Sequence, residues 1–108
     1  MIFYDLDTRL LKTIEYCKNN KMGYNMIQYY LVDGLTRYID YYKDKTKLVD
    51  CIKHYNIDDQ CKLRYNEINQ ILIKHNITQI NETIRLLLIQ AIYLEQKYNI
   101  KKIENQNV

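Results

Sequence analysis

The chain has 108 residues, of which 47% are hydrophobic, and it carries a formal net charge of +3 at pH 7. This length and composition are typical of one small domain with its own core, and they exclude a disordered tail. The mild charge excludes a protein that holds nucleic acid by charge alone, so that DNA binding would need a local basic patch or a dimer. The chain has no proline and only two glycines, which favours long helices.

The N-terminal segment, the length of the apolar runs and the cysteine spacing indicate the cellular location. The segment Met1 to Asp5 lacks the basic and apolar regions of a secretory signal, and no run approaches the roughly 18 apolar residues of a membrane span. Three cysteines, Cys17, Cys51 and Cys61, form an odd and scattered set, which is typical of reduced thiols. We therefore expect a cytoplasmic, intracellular protein that spans no membrane, located in the host cell if it is viral.

The first half of the chain predicts a strand followed by two helices. Residues 2–7 alternate in polarity, which indicates a short half-buried strand. A helix capped by Asp7 is expected to run to about Asn20 and to stop at Gly23 in the left-handed conformation. The next helix should extend from about Tyr24 to Lys43.

Gly34 lies inside the apolar stripe of this second helix. Because glycine in a helix interior costs about 1 kcal/mol relative to alanine, Gly34 indicates a point where another helix comes close. Residues 44–58 are expected to form a connector, with a short helix from Thr46 to His54.

The two halves of the chain resemble each other at an offset of 57 residues, with no gap across either helix pattern. Between residues 6–41 and 63–98, six pairs at this offset are identical: Leu6/Leu63, Ile14/Ile71, Asn19/Asn76, Ile27/Ile84, Leu31/Leu88 and Tyr41/Tyr98. Gly34 matches Ala91, the next smallest residue. We interpret this as a duplicated supersecondary unit within a single domain. The predicted parts are repeat 1 at 2–43, a connector at 44–58, repeat 2 at 59–98 and a polar tail at 99–108.

The second repeat allows two interpretations at its start. Residues 60–66 alternate like a strand, but Asp58 could equally cap a single helix running to His75. The repeat favours the strand, because its partner segment 2–6 also alternates. A helix from about Glu67 to His75, a turn and a long helix from about Asn81 to Tyr98 should follow.

Strand, short helix, turn and longer helix is the order of the ribbon-helix-helix fold. The stretch from Ile80 to Leu88 is similar to the second-helix opening of repressors and antitoxins in that family, and Gln60 to Tyr65 is similar to the ribbon of Arc-type and MetJ-type members. The resemblance covers about residues 59–98 and reaches 2–43 only through the repeat. It implies a mainly α fold with a short two-stranded antiparallel ribbon, a tandem ribbon-helix-helix pseudo-dimer in one chain. An all-α helical bundle is the alternative.

The resemblance also implies a function, namely a DNA-binding transcriptional regulator that reads the major groove through its ribbon. Gln60, Lys62 and Arg64 would then face the base edges, because amide and cationic side chains suit adenine and guanine. Asn81 and Glu82 would open the helix whose N-terminus meets a phosphate.

The first half departs from the family pattern. Its outward positions are Phe3, Asp5 and Asp7, and two carboxylates would repel a groove lined with phosphates. Either one ribbon edge alone reads DNA, or the carboxylates neutralise Lys62 and Arg64 across the strands. The second case would leave a protein-binding module.

An alternative function follows from the twelve tyrosines, which accompany one phenylalanine and no tryptophan. Tyrosine favours interfaces, and five tyrosines cluster on one predicted helix, so that the chain could be a small helical viral or phage protein that inhibits a host factor. The same composition is typical of an AT-rich genome. The candidate interface residues are Tyr29, Tyr30, Tyr38, Tyr41 and Tyr42.

The candidate partners under these two hypotheses are double-stranded DNA, a host protein and a second copy of this chain.

No pattern of catalytic residues was found. The chain has no serine and no glycine-rich phosphate loop, and its thiols stand in no catalytic signature. Four residues with zinc-ligand chemistry are present, but their spacing fits no closed zinc module: Cys51, His54, Cys61 and His75. We therefore expect no enzymatic activity, no cofactor and no metal.

Overall fold

The computed structural model describes residues 4–98, which fold into α-helices joined by short turns. The helices are α1 (Leu6–Asn19), α2 (Tyr24–Tyr42), α3 (Leu48–Ile57), α4 (Asp59–Lys74) and α5 (Glu82–Tyr98). α2 packs against both α1 and α5, while α5 also contacts α3 and α4, so that α5 lies at the centre of the bundle. Its core is built from aliphatic side chains, among them Leu10, Leu35, Ile68, Leu88 and Ile92.

The predicted two-stranded ribbon is wrong, and with it the ribbon-helix-helix pseudo-dimer. None of residues 4–98 lies in a strand, and 60–66 lie inside α4. The buried positions of α4 are Cys61, Arg64, Ile68 and Leu72, which recur every three or four residues as a helix requires. The all-α bundle that the sequence left as the alternative fits this structure.

The start of α4 explains why the helix forms here. Asp58 Oδ1 accepts a hydrogen bond of 2.8 Å from the Gln60 backbone N–H, which caps the first turn. Arg64 puts a charge into the apolar stripe of this helix, and in the sequence the alternation shared with segment 2–6 favoured the strand. The open alternative of one helix from Asp58 to about His75 is therefore correct.

The N-terminal segment fails as a strand too. Its first predicted strand residues, Ile2 and Phe3, lie outside the described residues, while Tyr4 and Asp5 have no regular structure. α1 already begins at Leu6, because Asp5 Oδ1 accepts a hydrogen bond of 2.8 Å from the Thr8 N–H. The helix cap is thus Asp5 rather than the predicted Asp7.

The helix bounds repeat along the chain at the offset seen in the sequence. Shifted by 57, α2 would span 81–99, against 82–98 for α5, and α1 would span 63–76, against 59–74 for α4. Two contacts also join residues 57 apart. Arg64 binds Asp7, and Lys18 Nζ donates to His75 Nδ1 at 2.9 Å, so that equivalent ends of α1 and α4 lie side by side.

The turn between α1 and α2 differs from the expectation at one residue. Lys21 has the left-handed conformation, with φ of 53°, whereas Gly23 has φ of −74° and is the N-cap of α2. The Met22 backbone N–H donates to the carbonyl of Cys17 at 3.0 Å and closes the end of α1.

Gly34 marks a close approach of two helices, as predicted. A Cβ at this position would lie 2.9 Å from Thr13 Oγ1 of α1 and 3.7 Å from Arg9 Cδ. The Thr13 hydroxyl is held in place because it donates to the Arg9 carbonyl at 2.9 Å. Glycine at 34 therefore lets α1 and α2 approach each other.

The connector after α2 is fastened to the end of α5 by Asp44. Its Oδ1 accepts from the Thr46 N–H at 2.8 Å, and its Oδ2 accepts from Lys97 Nζ at 2.7 Å and from the Tyr98 hydroxyl at 2.9 Å. The hydrogen bonds from Lys97 and Thr46 hold the pKa of Asp44 well below its ordinary value.

The packing at Gly34 predicts a dependence on Thr13. In a Thr13→Ala background, Gly34→Ala should raise the free energy of unfolding by about 1 kcal/mol, because the gain in helix propensity is no longer opposed by a clash. In the wild-type background the gain should be absent or reversed. Urea unfolding of the four variants measures the coupling. Equal effects of Gly34→Ala in both backgrounds would contradict the close approach.

The environment of Asp44 predicts a contribution to acid stability. Because its folded-state pKa is depressed, the contribution is complete above the unfolded pKa of about 4 and is lost as pH falls further. Asp44→Asn should therefore lower stability at pH 7 and reduce the loss between about pH 4 and pH 2. Thermal unfolding across pH measures both, with Asp50→Asn as the control. Parallel curves for wild type and Asp44→Asn would refute the role.

Candidate functional site

Arg64, which was expected to read DNA bases, is buried in an ion-pair cluster. Only 6% of the residue is exposed. Its Nε and Nη2 donate to the two carboxylate oxygens of Glu95 at 2.7 and 3.0 Å, Nη1 donates to Glu67 Oε2 at 3.1 Å, and Nη2 also donates to Asp7. Burial alone would lower the pKa of this guanidinium, but hydrogen bonds to Glu95 and Asp7 outweigh it and raise the pKa.

The other residues proposed for DNA recognition do not form one surface with Arg64. Gln60 and Lys62 are exposed on α4. Asn81 Oδ1 accepts from the Ile84 N–H at 2.8 Å, which makes Asn81 the cap of α5. Glu82 accepts two hydrogen bonds, of 2.9 and 2.6 Å, from Arg85. The N-terminus of α5 is thus already capped by the Asn81 amide and carries the Glu82 carboxylate.

The five tyrosines expected on one helix face are divided between surface and core. Tyr29 and Tyr41 are 64% and 51% exposed, whereas Tyr38 is 1% exposed and packs in the core. The Tyr38 and Tyr42 hydroxyls lie 3.0 Å apart and share a hydrogen bond. Burial raises the pKa of both phenols, so they remain neutral.

Two neighbouring tyrosines of α2, Tyr29 and Tyr30, form an aromatic cluster with a residue that the sequence analysis missed. The Tyr16 ring of α1 lies 5.4 Å from the Tyr30 ring, which meets Tyr29 edge to face at 5.5 Å. Tyr16 does not share the face of α1 that carries Leu10, Ile14 and Cys17. An aromatic residue on the outward side of a helix was therefore the sequence feature that could have indicated this cluster. The charge that Tyr16 would carry raises the pKa of the Tyr30 phenol.

A cleft of about 230 Å³ lies beside this cluster, between α1 and α2. We call it the α1/α2 cleft, and Gly34 and Thr13 are part of its lining. The remaining lining residues are Arg9, Lys12, Tyr16, Tyr30, Asp33 and Arg37. Its charge is positive, since three cations face one carboxylate.

The charged groups of the α1/α2 cleft differ in what they bind. Arg37 Nε donates to Asp33 Oδ2 at 3.0 Å, so the one carboxylate is already paired. The Arg9 guanidinium lies 5.2 Å from the centre of the Tyr4 ring, and Lys12 Nζ lies 4.9 Å from it. Arg9 Nε is buried, and no atom of residues 4–98 accepts a hydrogen bond from it.

A larger open depression of about 560 Å³ lies on the other side of Tyr29, next to the loop that precedes α5. Gln28 organises this loop, because its side chain donates to the Gln79 carbonyl at 3.0 Å and accepts from the Asn81 N–H at 3.2 Å. The lining residues are uncharged: Tyr24, Asn25, Gln28, Tyr29, Val32, Gln79, Ile80 and Asn81.

The three cysteines have the properties of core residues. Cys17, Cys51 and Cys61 are buried and unpaired. Burial raises the pKa of each thiol, and that of Cys61 to about 11. At neutral pH they are protonated, which makes them poor nucleophiles.

Of the four residues with zinc-ligand chemistry, the structure brings two together. His54 and Cys61 lie close to Asp58, and the potential ligand atoms of these three residues are all within 4.8 Å of one another. Cys51 and His75 are not part of this group. His75 instead accepts from Lys18, and burial followed by the Lys18 charge lowers its pKa.

No family model, curated protein or solved structure matches this chain. Among the helices formed by residues 4–98, none combines the length and apolar character needed to cross a bilayer. Function is therefore inferred from the chemistry of the surfaces described above.

The ion-pair cluster predicts that Arg64 stabilises the fold. Arg64→Ala should lower the free energy of unfolding by about 3 to 5 kcal/mol, because it leaves the Glu95 carboxylate buried without its cation. Arg85→Ala, which removes an exposed pair with Glu82, should change it by about 0.5 kcal/mol or less. Urea unfolding followed by circular dichroism measures both. Similar losses in the two variants would contradict the cluster's role.

Proposed function

We propose that this chain is a non-enzymatic interaction protein whose α1/α2 cleft binds an acidic segment of a partner protein. The observation that carries the proposal is the lining of the cleft, where three cations face one carboxylate that is already paired. Arg9 is also not fully satisfied within the described part of the chain, because its buried Nε finds no acceptor among residues 4–98.

The positive charge of the cleft favours a carboxylate as the group of the partner that binds there. Arg9, Lys12 and Arg37 line it, and the single acid, Asp33, is engaged with Arg37. Arginine binds carboxylates through paired, charge-assisted hydrogen bonds, which add geometric specificity to charge attraction. An aspartate or glutamate of the partner would complete the arrangement.

The neighbouring tyrosines supply the apolar part of the interface. Tyr16, Tyr29 and Tyr30 form a contiguous set of rings at the edge of the cleft. Tyrosine and arginine are the residue types most enriched at the energetic centres of protein interfaces. Their combination here supports a protein partner, such as a host factor that the chain inhibits.

A DNA partner fits these observations less well. The cleft is small, and Asp33, Arg37 and Asp40 share the outward side of α2 at helical spacing, so that two carboxylates would face a phosphate backbone. Arg64, the expected guanine reader, is buried.

The same proposal places the protein in the cytoplasm, in the host cell if it is viral. Its support is the set of three unpaired cysteines, which is typical of a reducing compartment.

The probe for this proposal is a labelled synthetic peptide in which glutamates alternate with leucines, compared with its glutamine counterpart. Fluorescence anisotropy should show tighter binding of the acidic peptide. Arg37→Gln should weaken that binding about tenfold through loss of a charge-assisted contact. Arg9→Lys keeps the charge but removes the planar guanidinium, and it should also weaken binding. Amide NMR signals of Thr13 and Gly34 should shift on addition of the peptide.

The matched control is Arg85→Gln, because Arg85 is another exposed arginine paired within its own helix. It should leave the affinity unchanged. Equal binding of the two peptides, equal losses in Arg37→Gln and Arg85→Gln, or tighter binding of duplex DNA at about 150 mM salt would overturn the proposal.

A further inference from the structure

The junction of α3 and α4 carries a group of side chains that the proposed function does not use. His54 lies in the last turn of α3, Asp58 joins the two helices, and Cys61 lies in the first turn of α4. Their potential ligand atoms are all within 4.8 Å of one another. We propose that His54 Nε2, Asp58 Oδ2 and Cys61 Sγ form a three-ligand site for a zinc-like transition-metal ion.

The chemistry of the three donors matches such an ion. Imidazole, thiolate and carboxylate are the ligands that zinc takes in proteins, and three protein ligands leave one position for water or another donor. A thiolate and an imidazole select against magnesium and calcium, which prefer oxygen ligands alone. We therefore expect the site to bind Zn²⁺, or Co²⁺ as its spectroscopic substitute.

One pair of donors already has the spacing that a tetrahedral site requires. At zinc bond lengths of about 2.0 to 2.3 Å, neighbouring ligand atoms lie about 3.3 to 3.6 Å apart. His54 Nε2 and Asp58 Oδ2 are 3.2 Å apart. The Cys61 sulfur, within 4.8 Å of both, has to approach by at most about 1.2 Å.

The backbone holds the three residues in place before any metal arrives. The Asp58 N–H donates to the His54 carbonyl at 3.0 Å, and the Cys61 N–H donates to the Asp58 carbonyl at 3.1 Å. Asp58 Oδ1 is occupied by the Gln60 N–H, which leaves Oδ2 pointing towards His54. Such fixed geometry lowers the ordering cost of binding.

Neighbouring side chains supply a surrounding shell and a path from solvent. The side chains of His54 and Asp58 are 38% and 29% exposed, whereas Cys61 is 1% exposed and forms the floor. The Tyr93 ring packs edge to face on His54, with centres 5.3 Å apart. Gln96 lies against the sulfur: its Oε1 is 3.3 Å from Sγ in one orientation of the amide, and in the other its nitrogen reaches Asp58 Oδ2 at 3.2 Å.

Metal binding at this site releases a proton. The Cys61 thiol is protonated at neutral pH, and ligation as a thiolate transfers that proton to solvent while the S–H bond is replaced by a metal–sulfur bond. The imidazole and the carboxylate bind through lone pairs. The ion would then join the end of α3 to the start of α4.

The experiment uses the full chain, purified with chelator and titrated with Co²⁺ and then Zn²⁺. We expect one Co²⁺ per chain, a thiolate-to-metal charge-transfer band in the near ultraviolet, and displacement of the Co²⁺ by Zn²⁺. Bound Zn²⁺ should raise the thermal unfolding temperature, because it binds the folded state. Excess Mg²⁺ or Ca²⁺ should not compete.

His54→Gln should weaken Co²⁺ binding at least about tenfold, and its partly exposed position makes it a variant that folds. His75→Gln is the matched control and should bind like wild type. Cys61→Ala should lose the charge-transfer band, whereas Cys51→Ala, which removes another buried thiol, should keep it.

Several results would overturn the site. They are the absence of a charge-transfer band in the wild type, equal affinities of His54→Gln and His75→Gln, and Zn²⁺ binding that lowers the unfolding temperature. The last result would mean that the metal binds thiols of the unfolded chain.

Discussion

The buried Arg64 guanidinium is the constraint around which this bundle is built. It joins Asp7 of α1 and Glu95 of α5 to α4, so that one side chain links three helices. A buried charge is tolerated only where partners satisfy it, and here Arg64 meets carboxylates from both sides. The register of α4 along α1 and α5 therefore follows from ionic geometry as well as from aliphatic packing.

This register decides where the candidate sites lie. Cys61 stands one turn before Arg64 on α4, so holding α4 in place also holds the sulfur beside His54 and Asp58. Asp7, another partner of Arg64, lies in α1. This helix packs closely on α2 because Gly34 has no side chain to separate them. That contact lies in the lining of the α1/α2 cleft, where Arg9 Nε has no acceptor among residues 4–98.

The offset of 57 residues found in the sequence recurs in two contacts of the fold. Asp7 and Arg64 stand 57 residues apart and carry opposite charges, and they bind each other. Lys18 and His75 are likewise 57 apart and in contact. Residues at this offset thus meet near both ends of α1 and α4.

The sequence by itself determined α1, α2 and α5, the turn that separates α1 from α2 and the importance of Gly34, because these depend on local periodicity and on helix ends. It could not decide between strand and helix at 60–66, since a charged residue occupies the buried stripe and its partners Asp7 and Glu95 are distant in the chain. Only the tertiary structure shows that Arg64 is internal, that Tyr38 packs in the core while Tyr29 is exposed, and that His54, Asp58 and Cys61 converge. Burial and convergence are properties of packing between helices, which local patterns do not contain.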